Sequence, residues 1–139
     1  MPHRGLILLL DFVLSHDSQR TDVSVCIDSQ RWLKRDDGSV AGWLAVEYMA
    51  QCVAAHESLL ALDEGRPPPH GFLVAATGLR LHASHFEAGT QLRVRARRVR
   101  GRPGLGALSH RCSLHSGGLG RNPEKLLAEG RLSVSTPRN

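Results

Sequence analysis

The longest uninterrupted helical pattern in the chain covers residues 43–62. This segment contains no glycine or proline and is rich in alanine, leucine, methionine, glutamate and glutamine, which favour helix formation. Its apolar side chains fall on nearly every side of a helical projection. The pattern therefore predicts a central helix that is wrapped by other structure.

Six further segments have the apolar character or the apolar–polar alternation of β-strands. They cover residues 6–14, 21–27, 72–81, 91–100, 105–114 and 126–135. The order β-β-α-β-β-β-β predicts an α+β fold, with the helix on one face of a curved, mostly antiparallel sheet. Such a sheet has open edges, and pairing two chains edge to edge would cover them, so we expect a dimer.

Size and composition indicate one globular domain, residues 1–139, because the 139 residues are 41% hydrophobic. No apolar run approaches the roughly 20 residues that a membrane-spanning helix needs, and Asp11 interrupts the apolar run near the start. We therefore expect neither a membrane segment nor a signal peptide. Cys26, Cys52 and Cys112 lie far apart in the sequence, which predicts free thiols and a reducing cytoplasm.

The basic residues are almost all arginines, since Lys34 and Lys125 are the only lysines in a chain of net charge +5. This balance favours an acidic partner. Aromatic residues make up 4% of the chain, whereas proteins that bind exposed bases interleave aromatic and basic residues. We therefore expect no nucleic-acid partner and consider a small acidic protein instead.

Arginines alternate with apolar residues in the segment 91–100. Arg93, Arg95 and Arg97 fall on one face of the predicted strand, and Arg98 and Arg100 continue in the opposite phase. The change of phase predicts a bulge or the exit of the strand from the sheet. The arginine face is either an ordinary solvated surface or a docking patch for an acidic partner.

Glu47 is the first candidate for chemistry, because it lies in the first turns of the predicted central helix between apolar neighbours. It is either a glutamate favoured by the helix N-terminus or pointing to solvent, or a general acid or base. His56 lies nearly opposite on the helix and about 13 Å along its axis, so it cannot assist Glu47 within one chain. We interpret His56 as an exposed or capping histidine and Cys52 as a small core residue.

Common cofactor motifs do not occur in the sequence. There is no phosphate-binding loop, dinucleotide fingerprint or serine-hydrolase elbow. His82 and His85 are separated by an odd step on a strand, which places them on opposite faces. The sequence therefore predicts neither a metal site nor a cofactor.

Residues 42–51, GWLAVEYMAQ, resemble the Pro-Gly and Val-Glu-Ala-Leu-Ala-Gln signature of the hotdog-fold 3-hydroxyacyl-(acyl carrier protein) dehydratases. The opening MPHR with LLLDFV at 8–13, Phe72, and FEAGTQL at 86–92 are similar to further elements of that family. The match of Glu-Tyr-Met-Ala-Gln is closest to dehydratase-like proteins of aryl polyene and related clusters. The resemblance covers nearly the whole chain and implies a hotdog fold.

The resemblance also implies roles for individual residues. Glu47 corresponds to the catalytic carboxylate, and the backbone N–H of Gly42 corresponds to the donor that stabilises the thioester enolate. Leu33 stands where the family carries its catalytic histidine, and no histidine occurs between His16 and His56. The residues implied to line the substrate site are Leu33, Trp43, Gln51 and Phe72. Those implied to dock the carrier protein are Arg95, Arg97, Arg98 and Arg100.

Three hypotheses follow from a retained glutamate beside a missing histidine. The chain is one half of a mixed active site in a heterodimer, or a dehydratase on its own that uses an altered acid–base set or water in place of the histidine, or a non-catalytic subunit that binds acyl chains or acyl carrier protein. Carrier binding through arginines would weaken with added salt. A hotdog thioesterase, which attacks the same thioester with water, is a further alternative.

Overall fold

The computed structural model describes residues 9–30, 33–67, 73–100, 107–117 and 124–135. Its main helix, α1, spans Ala45–Asp63, and a short 3-10 turn, Gly42–Leu44, leads directly into it. Within this part of the chain no helix has both the length and the apolar character needed to cross a membrane. The strands are β1 Phe12–His16, β2 Arg20–Cys26, β3 Val40–Ala41, β4 Leu73–Leu81, β5 His85–Phe86, β6 Gln91–Arg100, β7 Ala107–Ser116 and β8 Lys125–Ser135.

Six of the strands form one antiparallel sheet in the order β1-β2-β6-β7-β8-β4. The prediction of one helix against a six-stranded antiparallel sheet is confirmed, and β6 has the predicted bounds. A second sheet, β3 with β5, was not predicted, because each strand has two residues and carries no periodic pattern. It pairs Val40 with Phe86 and joins the segment before α1 to the segment before β6.

The helix packs on the sheet with one face. Its buried positions, about one turn apart, are Ala45, Tyr48, Met49, Cys52, Val53, His56, Glu57, Leu60 and Ala61. They meet apolar side chains of the central strands, among them Val23, Val94 and Leu132. The prediction of a central helix packed against a curved sheet is confirmed, although Leu62, which the pattern counted among the apolar residues of the helix, is 74% exposed in the single chain. In the part of the chain that the structure describes, no strand covers the remaining face of α1.

The first strand begins later than predicted. Residues 1–8 lie outside the described residues, and β1 starts at Phe12 rather than within the apolar run. The Asp11 carboxylate accepts hydrogen bonds from the backbone N–H of Cys26 and from the hydroxyl of Ser29. A side chain engaged in this way anchors the chain beside the sheet before the ladder begins.

The change of phase in the arginine strand is a bulge, as predicted. The pairing of β6 with β7 shifts between Arg98 and Arg100. A similar shift in β4 lies next to Gly78, whose φ of 60° is in the region that favours glycine. Arg98 is in phase with the buried Val94 and Ala96 and therefore faces the helix side of the sheet, while Arg97 lies on the outer face; the bulge begins after Arg98.

Candidate active site

Glu47 lies in the first turn of α1 on the face turned away from the sheet. Its side chain is exposed in the single chain, although its neighbours Ala45, Tyr48 and Met49 are buried. The carboxylate Oε1 accepts a hydrogen bond from Gln51 Nε2 at 3.1 Å, one turn later. Glu47 is therefore held in place and open to a ligand or to a second chain.

A chain of polar groups continues from Gln51 into the protein. Gln51 Oε1 accepts a hydrogen bond from the backbone N–H of Leu9 at 2.9 Å, and Gln30 Nε2 donates to the carbonyl of Leu9 at 3.0 Å. The Tyr48 hydroxyl donates to Gln30 Oε1 at 3.3 Å. Burial raises the pKa of the Tyr48 phenol to about 12, so this group stays a proton donor at neutral pH.

The sequence analysis did not select Gln30 or Tyr48. Tyr48 is the only tyrosine of the chain and follows Glu47 directly, and this position was the one clue in the sequence to its role. Gln30 is distant in sequence, and only the packing of the segment before β3 against α1 brings it to Tyr48. Gln51 holds Glu47 and the segment at Leu9 together. The contact with substrate that the resemblance implied for Gln51 stays a prediction.

Gly42 joins the start of the helix to the backbone before β5. Its N–H donates to the carbonyl of Ser84 at 2.9 Å, so it is not available as a donor to a thioester oxygen. A Cβ at this position would lie 2.2 Å from the carbonyl oxygen of Ala83. The donor role implied for Gly42 stays a prediction that would need this bond to be given up, and the glycine permits the close approach of the 83–84 backbone.

Leu33 and Trp43 border the start of the helix. Leu33 is half-buried and packs against the core in the loop before β3, so a hydrocarbon side chain occupies the position implied for the histidine. Trp43 is 66% exposed and precedes Glu47 by four residues, which places both on one side of the helix. Phe72 lies outside the described residues.

A second group of polar side chains lies between the sheet and the C-terminal half of α1. His56 is fully buried, which corrects its interpretation as an exposed or capping histidine. Its Nδ1 shares a hydrogen bond of 2.8 Å with the hydroxyl of Thr21, and that hydroxyl also contacts His16 Nδ1 at 2.7 Å. Burial lowers the pKa of His56 to about 4, so the ring is neutral at pH 7.

Glu57 is the charged centre of this group and is nearly fully buried. It is bonded to the Arg98 guanidinium and, at 2.9 Å, to His110 Nε2. Burial alone would raise the pKa of Glu57, but the hydrogen bonds from His110 and Arg98 outweigh burial and lower it. The Arg98 guanidinium is thus engaged inside the protein, apart from the surface where carrier docking was expected.

This buried group is separate from Glu47. Ten residues of helix, about 15 Å, separate Glu47 from Glu57 along the axis. The sequence analysis missed Glu57 and His110, because partners 53 positions apart leave no local pattern. Within the described residues no cluster of three or more histidine, cysteine, aspartate or glutamate side chains could hold a metal ion.

The other arginines predicted to dock a carrier protein lie on the outer face of the sheet. Arg97 is exposed, and Arg95 forms a two-point ion pair with Asp22 at 2.9 and 3.1 Å. Arg100 belongs to β6, and its side chain is outside the described part of the structure. The sheet lies between this face and α1. The prediction that these arginines dock a carrier protein whose acyl group reaches Glu47 therefore stays a prediction.

Comparison with known proteins assigns the chain to a family. The model of the ApeP-like family, described as ApeP dehydratase, matches residues 1–139. The chain belongs to the ApeP-like dehydratase family. Comparison with curated proteins gave no match.

Solved structures similar to this ApeP-like chain share its fold. One is the dehydratase heterocomplex ApeI:P from Xenorhabdus doucetiae, at 18% identity and a TM-score of 0.85, covering 100% of this chain and 89% of the other. The thioesterase HI1161 from Haemophilus influenzae has 15% identity and a TM-score of 0.60, covering 91% and 77%. The PaaI protein of E. coli has 13% identity and a TM-score of 0.61, covering 91% and 79%. These similarities confirm the predicted hotdog fold.

Proposed function

We propose that this chain is the carboxylate-bearing subunit of a heterodimeric dehydratase that acts on 3-hydroxyacyl thioesters of acyl carrier protein. The observation that carries the proposal is that Glu47 is exposed and anchored, while the position implied for the histidine holds the aliphatic Leu33. Half of an acid–base pair is present, and the other half must come from outside the chain. A second hotdog subunit that supplies a histidine beside Glu47 completes the pair.

The reaction needs two proton transfers. A base removes a proton from C2, the electrons form the C2=C3 double bond, and the C3–O bond breaks as the leaving oxygen takes a proton and departs as water. Glu47 performs one of these transfers, and the imidazole of the partner performs the other. Gln51 donates to Oε1 of Glu47, and the second carboxylate oxygen takes no part in that bond.

The thioester oxygen gains negative charge in this reaction and needs a donor. Because the N–H of Gly42 is bonded to Ser84, we assign this role to the next amide, that of Trp43. Trp43 lies in the first helical turn, where backbone N–H groups have no intrahelical partner. The exposed indole of Trp43 then lies beside the acyl chain.

The face of α1 that carries Glu47 favours a protein partner. Between the exposed Trp43 and Leu62 it presents small, half-buried side chains such as Ala50 and Ala54. An uncovered helix face of this length is typical of a surface that another subunit covers. The ApeI:P structure is that of a dehydratase heterocomplex, which supports the same arrangement for this chain. The three free thiols agree with assembly in the cytoplasm.

The test is mass-spectrometric detection of water loss from a 3-hydroxyacyl carrier protein. We expect no turnover with this chain alone, turnover when a partner hotdog dehydratase with its own histidine is added, and a loss of at least a hundredfold in Glu47→Gln. Glu64→Gln, an exposed carboxylate beyond the far end of α1, is the matched control and should leave turnover unchanged. Full turnover by the Glu47→Gln complex would overturn the proposal.

Two other functions have specific support, and the same mass spectra distinguish them from dehydration by this chain. Leu33 favours a non-catalytic subunit, and in that case the complex would turn over with Glu47→Gln as well. The fold shared with a thioesterase favours hydrolysis, which would release a free acid in place of an unsaturated thioester.

A further inference from the structure

The register of the sheet aligns four arginines side by side across four neighbouring strands. Arg20 in β2 pairs with Arg97 in β6, Arg97 pairs with Arg111 in β7, and Arg111 pairs with Arg131 in β8. Directly paired residues of antiparallel strands point to the same face. We call these four residues the arginine row; all four are exposed. With strands about 4.8 Å apart, the row is about 14 Å long.

The arginine row is poor in counter-charges. Among the described residues, Arg97, Arg111 and Arg131 form no ion pair, and Arg20 lies near Asp17, whose pKa is lowered mainly by the backbone N–H groups of Gln19 and Arg20. The next residues along the strands differ, because there Arg95 is paired with Asp22. Like charges placed directly opposite on a sheet repel one another. A row of this kind is stabilised when an anionic partner covers it.

The row also borders a hollow. A depression of about 770 Å³ on this face is lined by Arg97, Arg111 and Arg131 of the row and by Arg80, with Glu129 as its acidic residue. Its far end lies at Thr77, the partner of Arg131 in β4, where Gly78 adds no side chain. The surface is therefore concave as well as cationic.

We propose that the arginine row docks an acidic α-helix of another protein, laid across the strands. An α-helix that carries one carboxylate per turn repeats every 5.4 Å, close to the 4.8 Å between strands, so successive carboxylates meet successive guanidiniums. The guanidinium group binds carboxylates through two parallel hydrogen bonds. The absence of any aromatic side chain from the row argues against single-stranded nucleic acid, which stacks its bases.

This docking surface is separate from the candidate active site. Thr21, beside Arg20, contacts His56, and Arg98, beside Arg97, contacts Glu57. The arginine row therefore lies behind the C-terminal half of α1, with the sheet between it and Glu47. The inference does not depend on the proposed dehydration, and the partner has a role in assembly and not in delivery of substrate to this chain's Glu47.

The test measures binding of labelled helical peptides to the full chain by fluorescence anisotropy at low ionic strength. One alanine-based peptide carries a glutamate once per turn along one face, and a second has the same composition with the glutamates scattered around the helix. We expect the first to bind more tightly. Arg111→Gln/Arg131→Gln should weaken its binding about tenfold, as expected for the loss of two exposed ion pairs.

The matched control is Arg93→Gln/Lys125→Gln, which removes the same charge from two of the same strands, outside the row and outside its hollow, and should weaken binding less than about threefold. Equal losses in both double variants, or equal binding of both peptides, would mean a diffuse field and would overturn the proposal. No loss in the row variant would overturn it as well. Tighter binding of a DNA duplex than of the facing peptide, lost in the row variant, would assign the surface to nucleic acid instead.

Discussion

Removal of the Arg98 guanidinium should leave the buried carboxylate of Glu57 without its cation. The two side chains are 16% and 4% exposed, so water cannot replace the lost contact. We consider Arg98→Met, which keeps the unbranched hydrocarbon and removes the charge. Glu57 then either stays charged, which costs about 3–5 kcal/mol for a broken buried pair, or takes up a proton.

Proton uptake sets a limit on this loss. Protonating a glutamate of ordinary pKa, about 4.3, costs roughly 4 kcal/mol at pH 7 and about 1 kcal/mol at pH 5. We therefore expect Arg98→Met to lower the free energy of unfolding by about 3–4 kcal/mol at pH 7 and by much less at pH 5. The sign follows from Glu57, whose lowered pKa stabilises the native protein at neutral pH and ceases to do so as the pH falls.

The assay is equilibrium unfolding in urea, followed by far-ultraviolet circular dichroism at both pH values. Arg97→Met, the exposed neighbour in β6, is the control and should change the free energy of unfolding by less than about 0.5 kcal/mol. The double variant Arg98→Met/Glu57→Gln should recover much of the loss, because the glutamine oxygen still accepts from His110. A loss below about 1 kcal/mol at pH 7 in Arg98→Met, with no dependence on pH, would refute the reasoning.

Three further predictions concern other parts of the fold. Because the pKa of His56 is lowered to about 4, the folded chain binds fewer protons than the unfolded chain between about pH 4 and 6.5. The free energy of unfolding should therefore fall by roughly 3 kcal/mol as the pH drops through that window. Urea midpoints of wild type and His56→Gln should diverge accordingly, and parallel pH profiles would contradict this. Gly42→Ala should cost at least about 2 kcal/mol by calorimetry, because its Cβ meets the Ala83 carbonyl, whereas Gly130→Ala, which meets only a flexible leucine end, should cost less. Arg111→Gln should raise the melting temperature slightly at low salt by removing repulsion within the arginine row, and the gain should vanish at high salt; a lower melting temperature at low salt would argue against it.

Local sequence patterns were sufficient to predict the main helix and the long strands of this protein. The run of helix-forming residues after Gly42 placed α1, and alternation in residues 91–100 placed β6 and its bulge. These signals depend on residues a few positions apart, so they are present in the sequence. The resemblance at residues 42–51 added the hotdog fold and the choice of Glu47, which an isolated glutamate in a helix could not have supplied.

Tertiary structure decided what surrounds those residues. The Gly42 amide is occupied by Ser84, and Glu57 meets Arg98 and His110, through pairings that join positions about 40–50 residues apart. No local periodicity encodes such contacts, because they depend on how the strands align. The same holds for the arginine row: alternation within one strand placed Arg97 on a face, but only the register of four strands set it beside three other arginines. A shift of register by one residue would turn neighbouring side chains to the other face and disperse the row.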